Sequence, residues 1–531
     1  MQKHNQLTLR LVKHSPSLFV SLLLSLLIQL SGCQQFEKNK SHQNVSNESI
    51  KRGRVLAATY CQSCHLLPDP SLLNSSTWQD GVLPAMGPRL GIFSYGFQQY
   101  PSYKNDPGLP PNYYPAKQVI SHQDWQNIID YYTALSPDSL IQQAPLKQIS
   151  NTLTSFKVLY PLNRYPSPAI CLTEIDTTVK PHQLYLFDLA AQTFFKYTSI
   201  GAQPDTLSTA GSFVDLDFRD QTITGCNIDV INPNNGRFGK AQQLSTSKEG
   251  KISLRPDYLL DSLSRPVQLS SGDLNNDGKT DYLVCEFGHL SGALSWFENT
   301  GGVQYTRHVL RQEPGAIKAY IEDVNMDGLA DVWALFSQGD EGVFLFINNG
   351  NGSFKQEQVL RFPAVYGSTH FELVDVNKDG HKDIIYTCGD NADFSLILKP
   401  YHGLYIYLNN GNNEFRQEYF FPINGCYKSA ARDFDGDGDI DIATIAFFAD
   451  YQQKPDEGFI YLENNGGLKF TPKALPECRQ GRWLTMDTGD VDGDGKIDIV
   501  LGNFSIRPSV IQPLVDWKAG PPFIVLKNLS R

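Results

Sequence analysis

Three hydrophobic patterns follow one another along the chain. The first is one apolar run, Leu18 to Leu30, preceded by Lys3, Arg10 and Lys13 and closed by Leu30-Ser31-Gly32-Cys33. A spanning helix needs about 20 apolar residues, and this run is shorter. Its order of positive start, apolar middle and small residues before a cysteine is that of a bacterial lipoprotein signal peptide. The second pattern is helical. Ser121 as N-cap, with Asp124 as its capping partner, opens a face made by Trp125, Ile128, Ile129 and Tyr132 that ends before Pro137. The third begins after about residue 150 and alternates with period two, as half-buried strands do.

This last region repeats. Phe344 to Asn348 meets Asn349-Gly350 before Phe354; Tyr405 to Leu408 meets Asn409-Asn410-Gly411 before Phe415; Tyr461 to Glu463 meets Asn464-Asn465-Gly466 before Phe470. Weaker copies at Leu184 to Phe194, Val230 to Phe238, Trp296 to Gly302 and Phe523 to Asn528 bring the number to seven. Phe156 to Tyr160 is an orphan strand before the first copy, and the seventh copy lacks an outer strand. A ring in which the orphan completes the last blade leaves no free sheet edge.

Five copies are preceded by Asp-x-(Asp/Asn)-x-Asp-Gly-x-x-Asp, with first residues 50, 52, 58 and 57 apart. Oxygens at positions 1, 3, 5 and 9, with the backbone carbonyl of position 7, can wrap one calcium ion, and Gly at position 6 permits the sharp turn. The candidate ligands are Asp273, Asn275, Asp277, Lys279 and Asp281; Asp323, Asn325, Asp327, Leu329 and Asp331; Asp375, Asn377, Asp379, His381 and Asp383. The last two sets are Asp433, Asp435, Asp437, Asp439 and Asp441, and Asp490, Asp492, Asp494, Lys496 and Asp498. Eighteen Asp lie in these loops, so their repulsion would oppose folding without about five cations. The first copy has no such loop, and Asp215 to Asp220 in the second lacks the Gly, so neither is assigned a metal. Residues 156–531 resemble the FG-GAP/VCBS repeats of integrin-α-type β-propellers, which implies seven blades stabilised by calcium.

Residues 61–65 read Cys-Gln-Ser-Cys-His. Two thiols three apart on a helical turn can each add to a haem vinyl group, and the next His can be the proximal ligand. The chain has Met only at positions 1, 86, 326 and 486, and Met86, 21 residues after His65, is the one placed to be the distal ligand. It stands in Leu83-Pro84-Ala85-Met86-Gly87-Pro88, expected to be a rigid non-helical run. Residues 52–137 thus resemble a class I cytochrome c domain with one haem c attached through Cys61, Cys64 and His65.

The expected organisation is multidomain, a small all-α cytochrome c domain followed by an all-β seven-bladed propeller. Its parts are a signal peptide (1–32), a flexible tether (33–51) with Cys33 lipidated, the cytochrome domain (52–137), a linker (138–155) and the propeller (156–531). Removing Lys3, Arg10 and Lys13 takes the formal net charge from −11 to −14, which excludes nucleic acid as a partner. The leader and the haem motif place the protein in the bacterial cell envelope, lipid-anchored, periplasmic or at the surface, with the outer membrane favoured. Cys171, Cys226, Cys285, Cys388, Cys426 and Cys478 permit up to three bridges of open connectivity.

In such a blade the calcium loop joins the first two strands at one face. The insertions Gly389 to Gly403, Phe447 to Gly458 and Asn503 to Pro522 then fall on the second face, the expected binding surface. Five residues before each calcium loop stand Gln268, Lys318, His370, Lys428 and Thr485. Four residues before stand Leu269, Ala319, Phe371, Ser429 and Met486. Alternation points the first set into the central channel as a partly basic ring, in which Lys318, His370 and Lys428 are a candidate anion site. The function expected is electron transfer with a redox partner protein or small-molecule donor, the propeller serving as docking platform. The alternatives are an oxidoreductase with its substrate site on the propeller and an adhesion or glycan-binding protein.

Overall fold

The computed structural model describes residues 36–143, 149–219, 221–247, 250–302, 304–392, 395–506 and 514–530. The expected signal peptide and Cys33 lie outside the described residues. Among those described, no helix is long and apolar enough to cross a membrane.

Seven four-stranded antiparallel sheets form a closed propeller. Their innermost strands are Ile170–Asp176, Phe213–Arg219, Pro266–Gly272, Ala316–Glu322, Ser368–Val374, Cys426–Arg432 and Trp483–Gly489, which define blades 1 to 7. The orphan strand behaves as expected: Phe156–Leu159 pairs with Phe523–Asn528 as the outer strand of blade 7, so first and last segments close the ring. Second strands such as Asp331–Phe336 and Asp383–Cys388 are buried at every position because sheets cover both faces.

Two repeat copies are displaced from their expected places. Leu184 to Asp188 is the second strand of blade 1, with Thr193–Tyr197 as its third. Val230 to Phe238 is a second-face loop, and blade 2 takes Gly239–Thr246 as third strand. Pro233, Asn234, Asn235 and Gly236 interrupt pairing there, leaving Val230 and Phe238 exposed.

Residues 36–143 form a helical unit with its own apolar cluster around Trp78, Trp125, Ile128 and Tyr132. Helix Asn47–Tyr60 crosses helix His122–Leu135 at Gly53, where an added Cβ would stand 1.8 Å from Asn127 O. Only glycine lets the two backbones approach this closely.

The expected flexible tether is docked on this unit. Asn39 Nδ2 donates to Thr133 O (2.6 Å) and Ser136 O (2.9 Å), and Asn39 N donates to Ala134 O (2.9 Å), so these polar residues cap the end of the second helix. Ser46 then caps helix Asn47–Tyr60, which starts before the expected boundary at residue 52. Further on, Ser150 pairs with Lys473 at the edge of blade 6, and Leu153 is buried beside Phe156.

The six propeller cysteines are buried free thiols. They occupy six different apolar clusters, so burial rather than bridging accounts for them.

Candidate functional site

The attachment sequence follows directly on helix Asn47–Tyr60. Cys64 is exposed and Cys61 half-buried. Burial, with a smaller contribution from Cys64, pushes the Cys61 thiol up to about 11. His65 Nδ1 lies 2.9 Å from Leu66 O. As donor there it would leave Nε2 as the metal-facing nitrogen, the way a second-shell carbonyl fixes a ligating imidazole. Met86 and Cys61 pack on the same apolar cluster. These donors therefore fit a c-type haem: two free thiols, an oriented imidazole and a thioether. Met86 does not sit in a non-helical run, because Trp78–Val82, Leu83–Met86 and Gly87–Leu90 are successive helical turns. Pro84 and Pro88 are each the second residue of a segment, at the seams where the run changes from π to α and from α to 3-10 pairing.

The five acidic loops share one geometry. The first Asp accepts backbone N–H bonds across its loop: Asp273 from Gly278 (2.8 Å), Asp323 from Gly328 (2.9 Å), Asp375 from Gly380 (2.9 Å), Asp433 from Gly438 (3.0 Å) and Asp490 from Gly495 (2.9 Å). Each of these glycines has φ between +80° and +95°. Position 4 is left-handed as well, at Asn276, Met326, Lys378, Gly436 and Gly493, a requirement that the nine-residue pattern does not display. Three carboxylates converge within 4.8 Å in Asp433, Asp435 and Asp437, and again in Asp490, Asp492 and Asp494, which suits one divalent cation each.

The ninth Asp is buried and doubly engaged in every loop. Asp331 accepts from Val324 N (3.0 Å) and Asn348 N (2.7 Å), and Asp498 from Val491 N (3.1 Å) and Asn528 N (2.8 Å). It clasps the loop to the third strand besides offering its remaining lone pairs to an ion. Burial first, then crowding by other loop carboxylates, pushes Asp383 and Asp498 up to about 6.

The channel differs from the expected basic ring. Lys318, His370 and Lys428 do stand at one register on consecutive blades, each just after a bulge. Asp215 holds the same register in blade 2, and Glu174 and Asp487 follow two residues further along their strands. Burial raises Asp215 to about 6 against the pull of Lys318, and Glu174 is raised by burial and then by Asp487 and Asp215. His370 is pushed down by burial, then by Lys428 and Lys318. The ring is thus of mixed charge. Counting one inward position in only the blades with calcium loops had hidden the acids.

Most of these channel groups latch neighbouring blades. Asp215 accepts from Leu269 N (2.9 Å), Glu372 from Ala431 N (2.7 Å) and Asp487 from Ile175 N (2.8 Å), while Gln268 bonds both Ala319 N (2.6 Å) and Ala319 O (3.1 Å). Innermost strands of adjacent blades share no ladder, so side chains satisfy their inner edges.

The helical unit rests on the second face. Asn235 Nδ2 donates to Asp106 Oδ2 (2.8 Å), Tyr103 meets the His289 ring edge-on at 5.1 Å, and Gln143 Nε2 donates to Lys399 O (3.2 Å) and His402 O (2.6 Å). Val365 and Ile397 pack against its apolar cluster. Ile397, Lys399 and His402 of the second-face insertion therefore hold the helical unit. Between blades 1 and 2 a groove of about 350 Å³ lined by Gln192, Ser212, Asp229 and Val230 remains open.

Residues 273–334, 323–386 and 433–501 match the FG-GAP-like repeat. The chain is 28% identical over 167 residues (28% of this chain) to the T-cell immunomodulatory protein homolog of Plasmodium falciparum (isolate 3D7). It is 27% identical over 183 residues (29% of this chain) to integrin alpha-PS3 of Drosophila melanogaster. The aligned stretches span 22% and 16% of those relatives. A solved structure, YCF48 bound to D1 peptide, aligns with a TM-score of 0.41 at 9% identity, covering 72% of this chain and 97% of that one. The chain thus carries FG-GAP-like repeats within an all-β seven-bladed propeller.

Proposed function

We propose that the propeller is a calcium-stabilised binding platform and that the helical unit on its second face bears one covalent haem, making the protein an envelope-anchored electron carrier. The observation that supports this most is the Cys61–Cys64–His65 turn, with two free thiols and an imidazole whose Nδ1 already faces a carbonyl. Bound there, a haem supplies one-electron exchange. Cys61 and Cys64 would tether it, and His65 and Met86 would hold its iron, a pair that would raise the potential relative to two histidines. Five calcium ions in the acidic loops stabilise the ring rather than react, since every loop lies on the face away from the helical unit. Lipidation of Cys33 tethers the protein to the membrane, and the partner is a redox protein or a small-molecule donor.

The likeness to integrin alpha-PS3 favours a second reading, adhesion through the propeller without electron transfer. Exposing the purified protein to candidate donors separates the two. Donor-dependent reduction of the haem band supports electron transfer; calcium-dependent binding with no spectral change supports adhesion. Met86→Ala should abolish the thioether-to-iron charge-transfer band and lower the potential. An unchanged spectrum would mean that another residue fills the sixth position.

A further inference from the structure

The open groove between blades 1 and 2 is built from three turns on the second face. Gln192 stands in the turn between the second and third strands of blade 1, Ser212 in the connection that leads into blade 2, and Asp229 just past the second strand of blade 2. Each turn is left-handed where it lines the groove, at Gln192 (φ +50°), Gly211 (φ +92°) and Asp229 (φ +63°). For a residue with a side chain this conformation is costly, and it persists only where the surroundings fix it. Asn227, 5% exposed, fixes it here: its Oδ1 accepts from Ser212 N (3.0 Å) and from Asp229 N (2.8 Å), tying two of the turns together. From blade 3, Arg265 Nη2 donates to Ile231 O (3.0 Å). The walls of the groove are thus set by the fold itself.

Three of its polar side chains present acceptors. Gln192 Nε2 donates to Leu189 O (2.9 Å), which leaves the carboxamide oxygen for a ligand, and Ser212 Oγ donates to Asp229 O (3.0 Å), which leaves the hydroxyl lone pairs. The half-buried Asp229 carboxylate has no cation or donor among the described residues. An anionic, acceptor-rich lining calls for a cation that carries several N–H donors. Most of the remaining lining is apolar: Leu189 and Ile231 pack on the buried cluster shared by blades 1 and 2, and Val230 is 41% exposed. At about 350 Å³ the groove has the size of a small ligand pocket, with room for an apolar chain behind the cation.

We propose that this groove is a ligand site for an organic primary amine in its ammonium form: Asp229, Gln192 and Ser212 take the three N–H donors, and Leu189, Val230 and Ile231 receive the alkyl or arylalkyl chain. The site names a ligand class for the propeller as binding platform and rests on that reading, but it requires no haem. Its wall runs on into Asn235, whose Nδ2 donates to Asp106 of the helical unit (2.8 Å) and whose Oδ1 accepts from Leu290 N (2.9 Å). One loop therefore carries both the amine site and a contact to the helical unit.

Calorimetric titration of the full chain at neutral pH in saturating calcium, with 2-phenylethylamine as probe, tests this. The parent should bind the amine, and the neutral 2-phenylethanol and the anionic 3-phenylpropanoate should bind ~10-fold or more weakly. Asp229→Asn should weaken the amine ~10-fold and spare the alcohol. Asparagine tolerates the left-handed backbone, so the melting temperature of this variant should stay with the parent. Asp257→Asn removes the same charge from the exposed outer strand of blade 2 and should leave binding within ~2-fold of the parent. Val230→Ser should weaken amine and alcohol alike by ~2- to 5-fold. No binding by the parent, equal binding of amine and alcohol, or Asp229→Asn within ~2-fold of the parent would overturn the site. Loss of amine binding as calcium is raised, with one calcium fewer bound by Asp229→Asn, would overturn it too and make the three oxygens a metal site. A parent that ignores the amine yet shows donor-dependent haem reduction or calcium-dependent partner binding overturns the site and leaves the platform standing; a parent that does none of these overturns both.

Discussion

Asn348 joins one blade to the next through its carboxamide. The side chain is buried, at 2% exposure, and donates to Leu274 O in blade 3 and Ala330 O in blade 4, both at 2.9 Å, while accepting from Gly350 N at 2.9 Å. Asn348→Ala removes three hydrogen bonds worth ~1 kcal/mol each net. The carbonyl of Leu274, a residue with no exposure, loses this donor with no water to replace it, at a further cost of ~1 kcal/mol. The expected loss is about 3 to 4 kcal/mol, against a typical domain stability of roughly 5 to 15 kcal/mol. Urea unfolding at saturating calcium measures it by linear extrapolation. The exposed neighbour Asn349 is the control, since Asn349→Ala should stay within about 0.5 kcal/mol of the parent. Equal midpoints for the two variants would refute the clasp.

Chelation should lower propeller stability by ~2.7 kcal/mol for each site previously held at a hundred times its dissociation constant. Burial raises Asp383, Asp441 and Asp498 from 3.8 to about 6 in the ion-free protein, so these carboxyls hold protons more tightly folded than unfolded. Stability in EDTA should therefore fall as pH rises through that interval, and with calcium bound it should rise, because protons then compete with the ion. Thermal unfolding at pH 4 to 7 with and without calcium reads both slopes, and identical slopes would sink the five-ion assignment. Gly53→Ala should destabilise the helical unit by ~2 kcal/mol or more despite a helix-propensity gain near 1 kcal/mol, as its Cβ meets Asn127 O at 1.8 Å. Retained helical circular dichroism and melting temperature would contradict the close crossing. Lys428→Met should cost ~1 to 3 kcal/mol at pH 8 and less at pH 5, because it strips a cation from Glu174 and Asp487; an equal cost at both pH values would show a solvated pore.

Much of this architecture is legible in the residue pattern, and what is not has physical reasons. The Asp-x-Asp-x-Asp-Gly loops are local, so five turns and their ring-forming period are readable directly, as is the orphan strand that completes blade 7. The displaced copies at 184–194 and 230–238 show the limit, because aromatic alternation marks a strand without saying which strand of the blade it is. Polar residues at 36–51 look like a tether until their partners are known. Asn39 is a helix cap only because Thr133 O and Ser136 O lie nearly a hundred residues away. Likewise, two of the acids in the channel, Glu174 and Asp215, belong to blades without calcium loops, and Asp487 stands two residues past the position counted from its loop. The pull of Lys318 and Lys428 on them is a property of ring closure, invisible from any one repeat. The helical position of Met86 depends on two prolines that fall at the seams between segments, a placement the bare run Leu83 to Pro88 does not reveal.

Covalent haem at Cys61 and Cys64 is what the proposed electron carrier requires first. Intact mass of the denatured full chain, produced in a host that exports it and attaches c-type haem, decides the matter. The parent should carry the mass of one haem and retain its absorbance after denaturation, and the Cys61→Ala, Cys64→Ala double variant should lack both. A parent chain of unmodified mass, with both thiols free to alkylate, would contradict it.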